Sequence, residues 1–358
     1  MPYTKEEKAE IWLDSFRLDY AKKAQIYKTA PDAYSLVEHF EKYRPKIAAA
    51  AGEDTCRKME ESLRSADYMH ALLQTYAQKR IRCVCFSSEL YPEELRQLPD
   101  PPLVLYCRGN AELLRERKFA IVGSRRTQPQ ILRMAEEYSR ALSAHFVIVT
   151  GLADGGDSAA AAGALESGKL ISVLAYGFDH VYPECNRGLL EKIEEKGLAV
   201  TEYLPCEAPR GYLFPARNRI IAGLAEGVLV VSGGEKSGTR ITADHAYSYG
   251  KDVFAFPYAP GVESGAGCNA IIKEYAKLTD NLVDIASAFG INLTATEEIE
   301  LTQAELAVYN IIKEGETHVA RILELTGLKA HELPAILTLL EMKNLIVSCG
   351  GNRYAAIK

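Results

Sequence analysis

The sequence lacks the long apolar run that a membrane-spanning helix requires, and its first residues, MPYTKEEKAE, contain no apolar signal core. We therefore expect a cytoplasmic protein without a membrane partner. The 358 residues exceed the usual size of one domain, and 47% of them are hydrophobic, which is enough to bury a sizeable core. Two or three domains are expected.

Patterns that mark metal sites and disulfides are also absent. The eight cysteines are scattered, and no pair has Cys-x-x-Cys or zinc-knuckle spacing. The seven histidines do not cluster with cysteine or carboxylate in a ligand pattern. We expect reduced, buried thiols, no metal and no cofactor. Because no carboxylate pair, Ser/His/Asp set or Cys/His set stands out, we also expect no enzyme activity.

The chain has no excess of positive charge. Its formal net charge is -6. Such a balance ordinarily argues against a nucleic-acid partner. Affinity for an anionic polymer follows the local field over one surface, however, and not the sum over the chain. The placement of the arginines and lysines therefore decides this question.

The chain divides into three segments with different hydrophobic patterns. Residues 1–80 place apolar residues at helical spacing, as in AYSLVEHFEKY, and predict a small helical (SAM-like) domain. Residues 81–292 alternate helical stretches with short apolar runs, namely IRCVCF, LVLYCRG, FAIVG, FVIVTG, LISVLAYG, LAVTEY, GVLVVSG and DVFAFPY. Several runs are apolar throughout, as strands covered on both faces must be. This segment predicts an α/β fold with an extended, Rossmann-like, doubly wound and mainly parallel sheet.

Residues 300–358 show three helical patterns, at about 302–313, 317–326 and 330–343, followed by IVSCGGNRYAAI, a hairpin with Gly-Gly-Asn at its turn. That order predicts a winged-helix domain. Winged helices often bind duplex DNA, and a DNA reader is basic. This segment carries six Lys and Arg against seven Asp and Glu, and its third helical pattern is mostly apolar. We therefore favour a protein contact for it.

The first informative motif is the turn Gly123-Ser124-Arg125-Arg126, which follows the apolar run FAIV directly. Turns of this kind lie where α/β sheets bind ligands. Glycine allows close backbone approach, the serine offers a hydroxyl and an amide, and an arginine can donate two hydrogen bonds to a phosphate. The alternative is an ordinary β-to-α turn with solvated arginines.

A second cluster, RGYLFPARNRI, begins at residue 210 and leads into a helix. Guanidinium groups can follow a nucleic-acid backbone while an aromatic ring stacks on a base of any identity. The amides of a helix N-terminus add to the attraction for anions. The alternative is a buried Phe214 with arginines that pair with nearby acids. The residues that could bind are Arg210, Tyr212, Phe214, Arg217, Asn218 and Arg219.

Two glycine-rich turns accompany these motifs. The loop SGGEKSGTRIT, residues 232–242, resembles a phosphate cradle through Lys236, Ser237 and Gly238. It is not a Walker A motif, because the lysine precedes the second glycine. The turn TGLADGGD, residues 150–157, is expected to shape the cleft. All these turns should lie along one edge of the sheet and form a shared anion-binding cleft.

Taken together, these motifs resemble the DNA-processing protein A family (DprA, also called Smf) from about residue 80 to the C-terminus. The matching residues are 91–92, 101–106, 122–125 with Thr127, 151–157, 177–179, 182–183, Asn186, 202–203, 214–221, 236–238, 242–243 and 267–269. The resemblance implies a Rossmann-like core that binds single-stranded DNA without sequence preference. It also implies a homodimer that loads the recombinase RecA onto incoming strands during natural transformation.

Site residues follow from the resemblance and the motifs together. Arg125 corresponds to the family's phosphate-binding arginine, and Arg210 resembles a second basic contact to DNA. The predicted DNA- and phosphate-binding residues are Gly123, Ser124, Arg125, Arg126, Asn186, Arg210, Phe214, Arg217, Asn218, Arg219, Lys236, Ser237 and Gly238.

The sequence departs from the family pattern at four positions on the edge of the cleft. Asp154 stands where arginine is usual, Gly156 replaces isoleucine, Ala161 replaces histidine and Ser232 replaces an acidic residue. These departures leave the fold untouched and bear on binding strength and loop geometry.

Two other functions compete with DNA binding. The cleft also resembles that of phosphoribohydrolase-like nucleotide-processing enzymes with a Rossmann fold, but Thr242 stands at the position of their catalytic glutamate. In a scaffold protein, the arginines would instead serve dimer contacts while the winged helix docks partners.

Overall fold

The computed structural model describes residues 3–292, 301–315, 317–343 and 345–357. The chain forms two compact units, Met1–Thr294 and Ala295–Lys358. The polar segment 293–300, expected to lead into the winged helix, lies outside the described residues, as do residues 316, 344 and 358 of the predicted winged-helix domain. Among the described residues, no helix is long and apolar enough to cross a membrane.

The first unit begins with helices that cover residues 5–78. Thr4 starts the first helix by accepting a hydrogen bond from the Glu7 amide, and Glu7 caps the Thr4 amide in return. Side chains such as Trp12, Ile47 and Met59 form a core between these helices. The helices are α1 (Lys5–Asp14), α2 (Tyr20–Tyr27), α3 (Ala33–Glu38), α4 (Phe40–Ala51), α5 (Glu53–Arg64) and α6 (Tyr68–Gln78).

Hydrogen bonds fasten these helices to the sheet that follows. The Tyr106 hydroxyl donates to Asp14 over 2.7 Å, and the Ser87 amide and hydroxyl donate to Glu10 over 3.1 and 2.7 Å. The helices and the sheet belong to one compact unit. A separate helical domain ending at residue 80 stays a prediction.

Nine strands form one sheet among the described residues, in the order β1-β2-β6-β5-β4-β3-β7-β8-β9. The strands from β6 to β9 in this order are parallel, whereas β2 pairs antiparallel with both β1 and β6. The predicted doubly wound, mainly parallel sheet is confirmed. The strands are β1 (Arg82–Cys85), β2 (Val104–Gly109), β3 (Lys118–Val122), β4 (Val147–Thr150), β5 (Leu170–Val173), β6 (Leu198–Thr201), β7 (Gly227–Val230), β8 (Asp252–Ala255) and β9 (Lys277–Leu278).

Helices cover both faces of this sheet, which explains why its central strands are buried along their length. Every residue of β3, for example, is buried. The helices are α7 (Glu93–Arg96), α8 (Pro129–Leu142), α9 (Gly156–Leu165), α10 (Arg187–Lys196), α11 (Leu213–Leu224), α12 (Gly238–Ser248), α13 (Ala266–Glu274) and α14 (Leu282–Phe289).

The second unit has the predicted winged-helix order, with a core of its own that includes Val308, Ile322 and Leu340. Gly350, Gly351 and Asn352 all have positive φ at the tip of its hairpin, where glycine and asparagine are favoured. A two-residue strand, β10, joins the hairpin and was not predicted. The elements are α15 (Gln303–Lys313), β10 (Thr317–His318), α16 (Val319–Thr326), α17 (Leu333–Met342), β11 (Ile346–Gly350) and β12 (Arg353–Ala356).

Candidate nucleic-acid interface

The sheet reverses its direction of winding between β3 and β7. Strands β4, β5 and β6 follow β3 to one side, and β8 and β9 follow β7 to the other. A crevice opens at the carboxyl ends of the two central strands in such a sheet, and ligands bind there. Gly123 directly follows β3, and the loop that begins near Ser232 follows β7. The predicted motifs therefore meet at the switch point.

A close backbone approach shapes the turn after β3. A Cβ atom on Gly156 would lie 2.4 Å from the Cα of Gly123, so neither position has room for a side chain. The Gly156 amide donates to the Ser124 carbonyl over 3.1 Å, and the Gly123 amide donates to Asp157 over 3.0 Å. The start of α9 thus fixes the position of the turn through these contacts.

Ser232 holds the same turn from the side of β7. The Ser124 amide donates to the Ser232 hydroxyl over 2.9 Å and also lies 3.2 Å from the Ser232 carbonyl. The Thr127 hydroxyl is 2.6 Å from that of Ser232, which is fully buried. A small hydroxyl residue at position 232 therefore positions the Gly-Ser-Arg turn without adding a negative charge.

Arg125 extends from this turn onto two aromatic rings. Its guanidinium carbon is 5.6 Å from the ring centroid of Tyr182 and 5.6 Å from that of Phe214, within the range of a cation–π contact. The two rings meet edge to face with centroids 5.3 Å apart. Arg125 remains exposed to solvent. The rings thus orient a cation whose hydrogen-bond donors are available to an anion.

Arg210 is the second exposed arginine of the crevice. Its Nη1 lies 3.4 Å from the Tyr212 hydroxyl, and its Nε lies 3.5 Å from Glu207. An exposed ion pair of this length contributes little and competes weakly with a phosphate. Arg210 therefore presents a guanidinium group to the same space as Arg125.

The crevice is a cleft of about 540 Å³ at the switch point. Its wall on the β7 side is the start of α12, which Ser237 caps by accepting a hydrogen bond from the Arg240 amide. Amides of a helix N-terminus attract anions. Among the predicted site residues, those that line the cleft are Gly123, Ser124, Arg125, Arg210, Phe214, Arg217, Asn218, Ser237 and Gly238.

Two predicted arginines are buried in internal contacts. Arg217, 3% exposed, donates to the carbonyls of Gly151 and Val173 beneath the cleft. Arg219, 6% exposed, pairs with Asp100 and Glu202 over 2.7 and 2.6 Å. Although burial opposes it, these two carboxylates raise the pKa of Arg219. The geometry favours a structural role for both arginines, and direct DNA contact stays a prediction.

The remaining predicted residues either support the loops or lie at the surface. Asn218 donates to the Gly238 carbonyl over 3.0 Å and so ties α11 to α12. Asn186 is buried and donates to the Leu152 carbonyl and the Ser158 hydroxyl over 3.0 and 2.9 Å. Arg126 and Lys236 are exposed and are not part of the cleft lining.

Comparison with known proteins identifies the chain. A sequence model described as DNA recombination-mediator protein A matches residues 82–290, more than half of the chain, and a model described as DprA winged helix domain matches residues 293–352. The chain belongs to the DNA recombination-mediator protein A family. This membership confirms the resemblance that the motifs indicated.

Two relatives in this family are 36–41% identical to the chain over the aligned segments. The DNA processing protein DprA of Streptococcus pneumoniae is 41% identical over 202 residues, which are 56% of this chain and 72% of the relative. That of Bacillus subtilis is 36% identical over 217 residues, which are 60% of this chain and 73% of the relative.

Solved structures of the family have the same fold. The X-ray structure of DNA processing protein A from Streptococcus pneumoniae matches with a TM-score of 0.67 and 32% identity, covering 80% of this chain and 98% of that chain. The protein from Helicobacter pylori, described for its single-stranded DNA binding mode, matches with a TM-score of 0.54 and 30% identity. That match covers 59% of this chain and 97% of the other.

The predicted departures from the DprA pattern have distinct places in the structure. Gly156 and Ser232 hold the Gly-Ser-Arg turn, as described above. Asp154 is exposed at the tip of its turn and accepts a hydrogen bond from the Gly155 amide over 3.0 Å, whereas Ala161 is fully buried in α9. Two of the four departures therefore bear directly on the geometry of the cleft.

Sequence reasoning did not assign a role to Tyr182, although its motif was noted as part of the DprA resemblance. It lies 57 residues from Arg125 in the chain, and its hydroxyl is 3.4 Å from Arg125 Nη1. The signal that could have found it is an aromatic residue in the segment that follows β5, a parallel strand of the same sheet two positions from β3.

Proposed function

We propose that the chain binds single-stranded DNA without sequence preference in the cleft at the switch point. The observation that carries this proposal is the Arg125 guanidinium held over the rings of Tyr182 and Phe214, inside a cleft that Arg210 also lines. Guanidinium groups bind phosphates, and exposed ring faces stack on bases of any identity. The structure of the Helicobacter pylori relative, described for its single-stranded DNA binding mode, supports the same conclusion.

The described residues that line the cleft offer few groups for acid–base chemistry. Among the described residues that line it, Asp157 is the sole carboxylate, and the Gly123 amide donates to it at 3.0 Å. Thr242 is buried, with its hydroxyl 3.4 Å from the Gly238 carbonyl. We therefore favour a binding protein over a phosphoribohydrolase-like enzyme. Release of free base from nucleoside monophosphates would reverse this preference.

Fluorescence anisotropy with a labelled oligo-dT tests the proposed binding. We expect oligo-dT to bind more tightly than duplex DNA of equal length, because the rings can stack only on unpaired bases. We also expect the affinity to fall steeply with salt, as counterions leave the phosphates. Absence of binding at low salt would contradict the proposal and favour the scaffold alternative.

We also propose that the chain acts as a homodimer that loads RecA onto incoming strands in the cytoplasm during natural transformation. The family description as a recombination mediator supports this role. Among the described strands, β9 is one of the two edges of the sheet, and Leu278 on it and Val283 beside it are exposed, which supports self-association. Faster RecA-dependent ATP hydrolysis on DNA coated with single-strand-binding protein, and a dimer mass in sedimentation, are the expected results.

The winged helix has a proposed role in protein contact. Its six basic residues are outnumbered by seven acidic ones over residues 300–358. Exposed apolar side chains on its helices, including Leu306, Leu325 and Leu339, suit a protein partner better than a phosphate backbone.

A further inference from the structure

A second cavity of about 780 Å³ lies within the first unit, beside the cleft. It is bounded by α2, by the segment 99–104 and by the segment 202–219. Its volume is larger than that of the cleft and lies within the range of small-molecule sites.

The walls of this cavity are mainly aromatic and aliphatic. Rings approach it from the helical segment, from the sheet and from the stretch before α11. The aromatic residues in its lining are Tyr20, Tyr27, Phe86, Tyr203 and Tyr212. Flat rings with polar hydroxyls at their ends suit a ligand that is itself flat and carries polar edges, as a nucleobase does.

Carboxylates in the lining are engaged by groups of the protein. Asp14 pairs with Lys23 over 2.8 Å, and Arg219 pairs with both Asp100 and Glu202. The other two lining carboxylates, Asp19 and Glu207, lie 3.7 Å from Lys22 and 3.5 Å from Arg210. Exposed cations also line the cavity, namely Arg17, Lys28 and Arg210. The local charge therefore tolerates a phosphodiester at the mouth of the cavity.

The cavity and the cleft lie on either side of the start of α11. Arg210 lines both spaces. Beyond it, Leu213 and Ala216 line the cavity, whereas Phe214 and Pro215 line the cleft. One turn of helix is thus the wall between the two spaces, and a phosphate on Arg210 has the cleft on one side and the cavity on the other.

We propose that this cavity takes a base of the DNA strand whose phosphate contacts Arg210. The inference rests on the proposed binding of single-stranded DNA in the cleft. A strand that crosses Arg210 can place one nucleotide against Phe214 and its neighbour among the rings of the cavity. Because stacking on rings does not require a particular base, the cavity adds affinity without sequence preference.

The test compares a twelve-nucleotide oligo-dT with a strand of the same length that has phosphates and sugars but no bases. Ala24 lines the cavity from α2 and is not part of the cleft lining. We expect Ala24→Leu, whose aliphatic side chain narrows the cavity without offering a ring face, to weaken binding of oligo-dT about tenfold, the loss expected for one stacked base. Binding of the abasic strand is expected to stay unchanged, and Ala24→Ser serves as the matched control.

A second variant approaches from the opposite wall. Ala216→Leu, at an exposed position of α11, is expected to give the same selective loss, so a folding defect of one variant does not decide the outcome. If both filling variants bind oligo-dT as tightly as Ala24→Ser while Arg125→Ala weakens it, the cavity takes no base and the cleft proposal stands. If the unaltered protein binds neither strand, both proposals fail.

Discussion

Arg125 and Arg210 differ from the other arginines of the site in being exposed to the cleft. We expect Arg125→Ala, and separately Arg210→Ala, to weaken binding of oligo-dT about five- to tenfold at low salt. Each change should also lower the slope of log affinity against log salt by about 0.7, the value for one phosphate contact on a single strand. The melting temperature should hardly change, because neither side chain is buried.

Arg133→Ala is the matched control for both variants, since Arg133 is exposed on α8 and is not part of the cleft lining. Salt titrations of the three variants, read by anisotropy, make the comparison. Unaltered affinity for oligo-dT in both the Arg125 and the Arg210 variants would contradict the assignment of the binding site to the cleft.

Arg217 contributes to the free energy of unfolding through its contacts beneath the cleft. Burial raises the pKa of Asp157, and the Arg217 guanidinium opposes that rise. Arg217→Ala removes the opposing charge and two carbonyl contacts, so we expect a loss of about 3–5 kcal/mol in the free energy of unfolding at pH 7. Denaturant unfolding measures it, with Arg187→Ala, an exposed partner of Glu184, as control.

The pH dependence of that loss has a definite sign. Because the pKa of Asp157 is higher in the folded than in the unfolded protein, its contribution favours folding at low pH and is lost as the pH rises. Without Arg217 the folded pKa rises further. The deficit of Arg217→Ala should therefore be smaller at pH 5 than at pH 7, and an equal deficit at both would contradict the charge interaction between Arg217 and Asp157.

The location of a candidate binding residue could be predicted where its motif directly follows a strand or precedes a helix. It could not be predicted where the contact partner of the residue is distant in the sequence. The turn at Gly123 and the exposed Arg210 were found because they adjoin β3 and α11. The burial of Arg219 depends on Asp100, which is 119 residues away, and the orientation of Arg125 depends on Tyr182. One run of arginines therefore contains both exposed and buried members that no local pattern separates.

At the scale of secondary-structure elements, the geometry of the site depends mainly on the contact between the turn after β3 and the start of α9. Gly156→Ala would place a Cβ atom 2.4 Å from the Cα of Gly123, so the two elements must separate. We expect a lower melting temperature and weaker binding of oligo-dT, because the displaced turn carries Arg125. Gly188→Ala in α10, where a Cβ atom would meet nothing within 4 Å, should leave binding unchanged and stabilise slightly. Equal behaviour of the two variants would refute this explanation.

Strands were predictable in proportion to their burial. The eight apolar runs correspond to β1 through β8, because a strand covered on both faces needs apolar side chains at every position. Strand β9 has two residues, both exposed, and β10 also has only two, so neither leaves an apolar run. The strand order and the antiparallel pairing of β2 with β6 depend on contacts between distant segments, which no local pattern contains.

At the scale of the whole molecule, the fold class could be predicted from the hydrophobic patterns of the three segments, whereas the large cavity could not. Its lining comes from positions between 14 and 219, and it exists because α2 packs near the sheet. The helices are held there by apolar contacts, such as those of Ile11 and Tyr76 with side chains of the sheet, and by single hydrogen bonds such as that of the Tyr106 hydroxyl to Asp14. Isolated polar pairs of this kind leave no periodic signal in a sequence.

The two compact units allow a final prediction about the division of labour. Every residue that lines the cleft lies between 122 and 242, within the first unit, and the winged helix has a hydrophobic core of its own. A chain ending at residue 294 should therefore bind oligo-dT within about twofold of the full-length affinity, with the same dependence on salt. Full-length Arg125→Ala, which keeps the winged helix and loses a phosphate contact, is the matched comparison. A tenfold loss on truncation would show that the winged helix contributes to DNA binding despite its acidic balance, and the assignment of that unit to protein contact would be wrong.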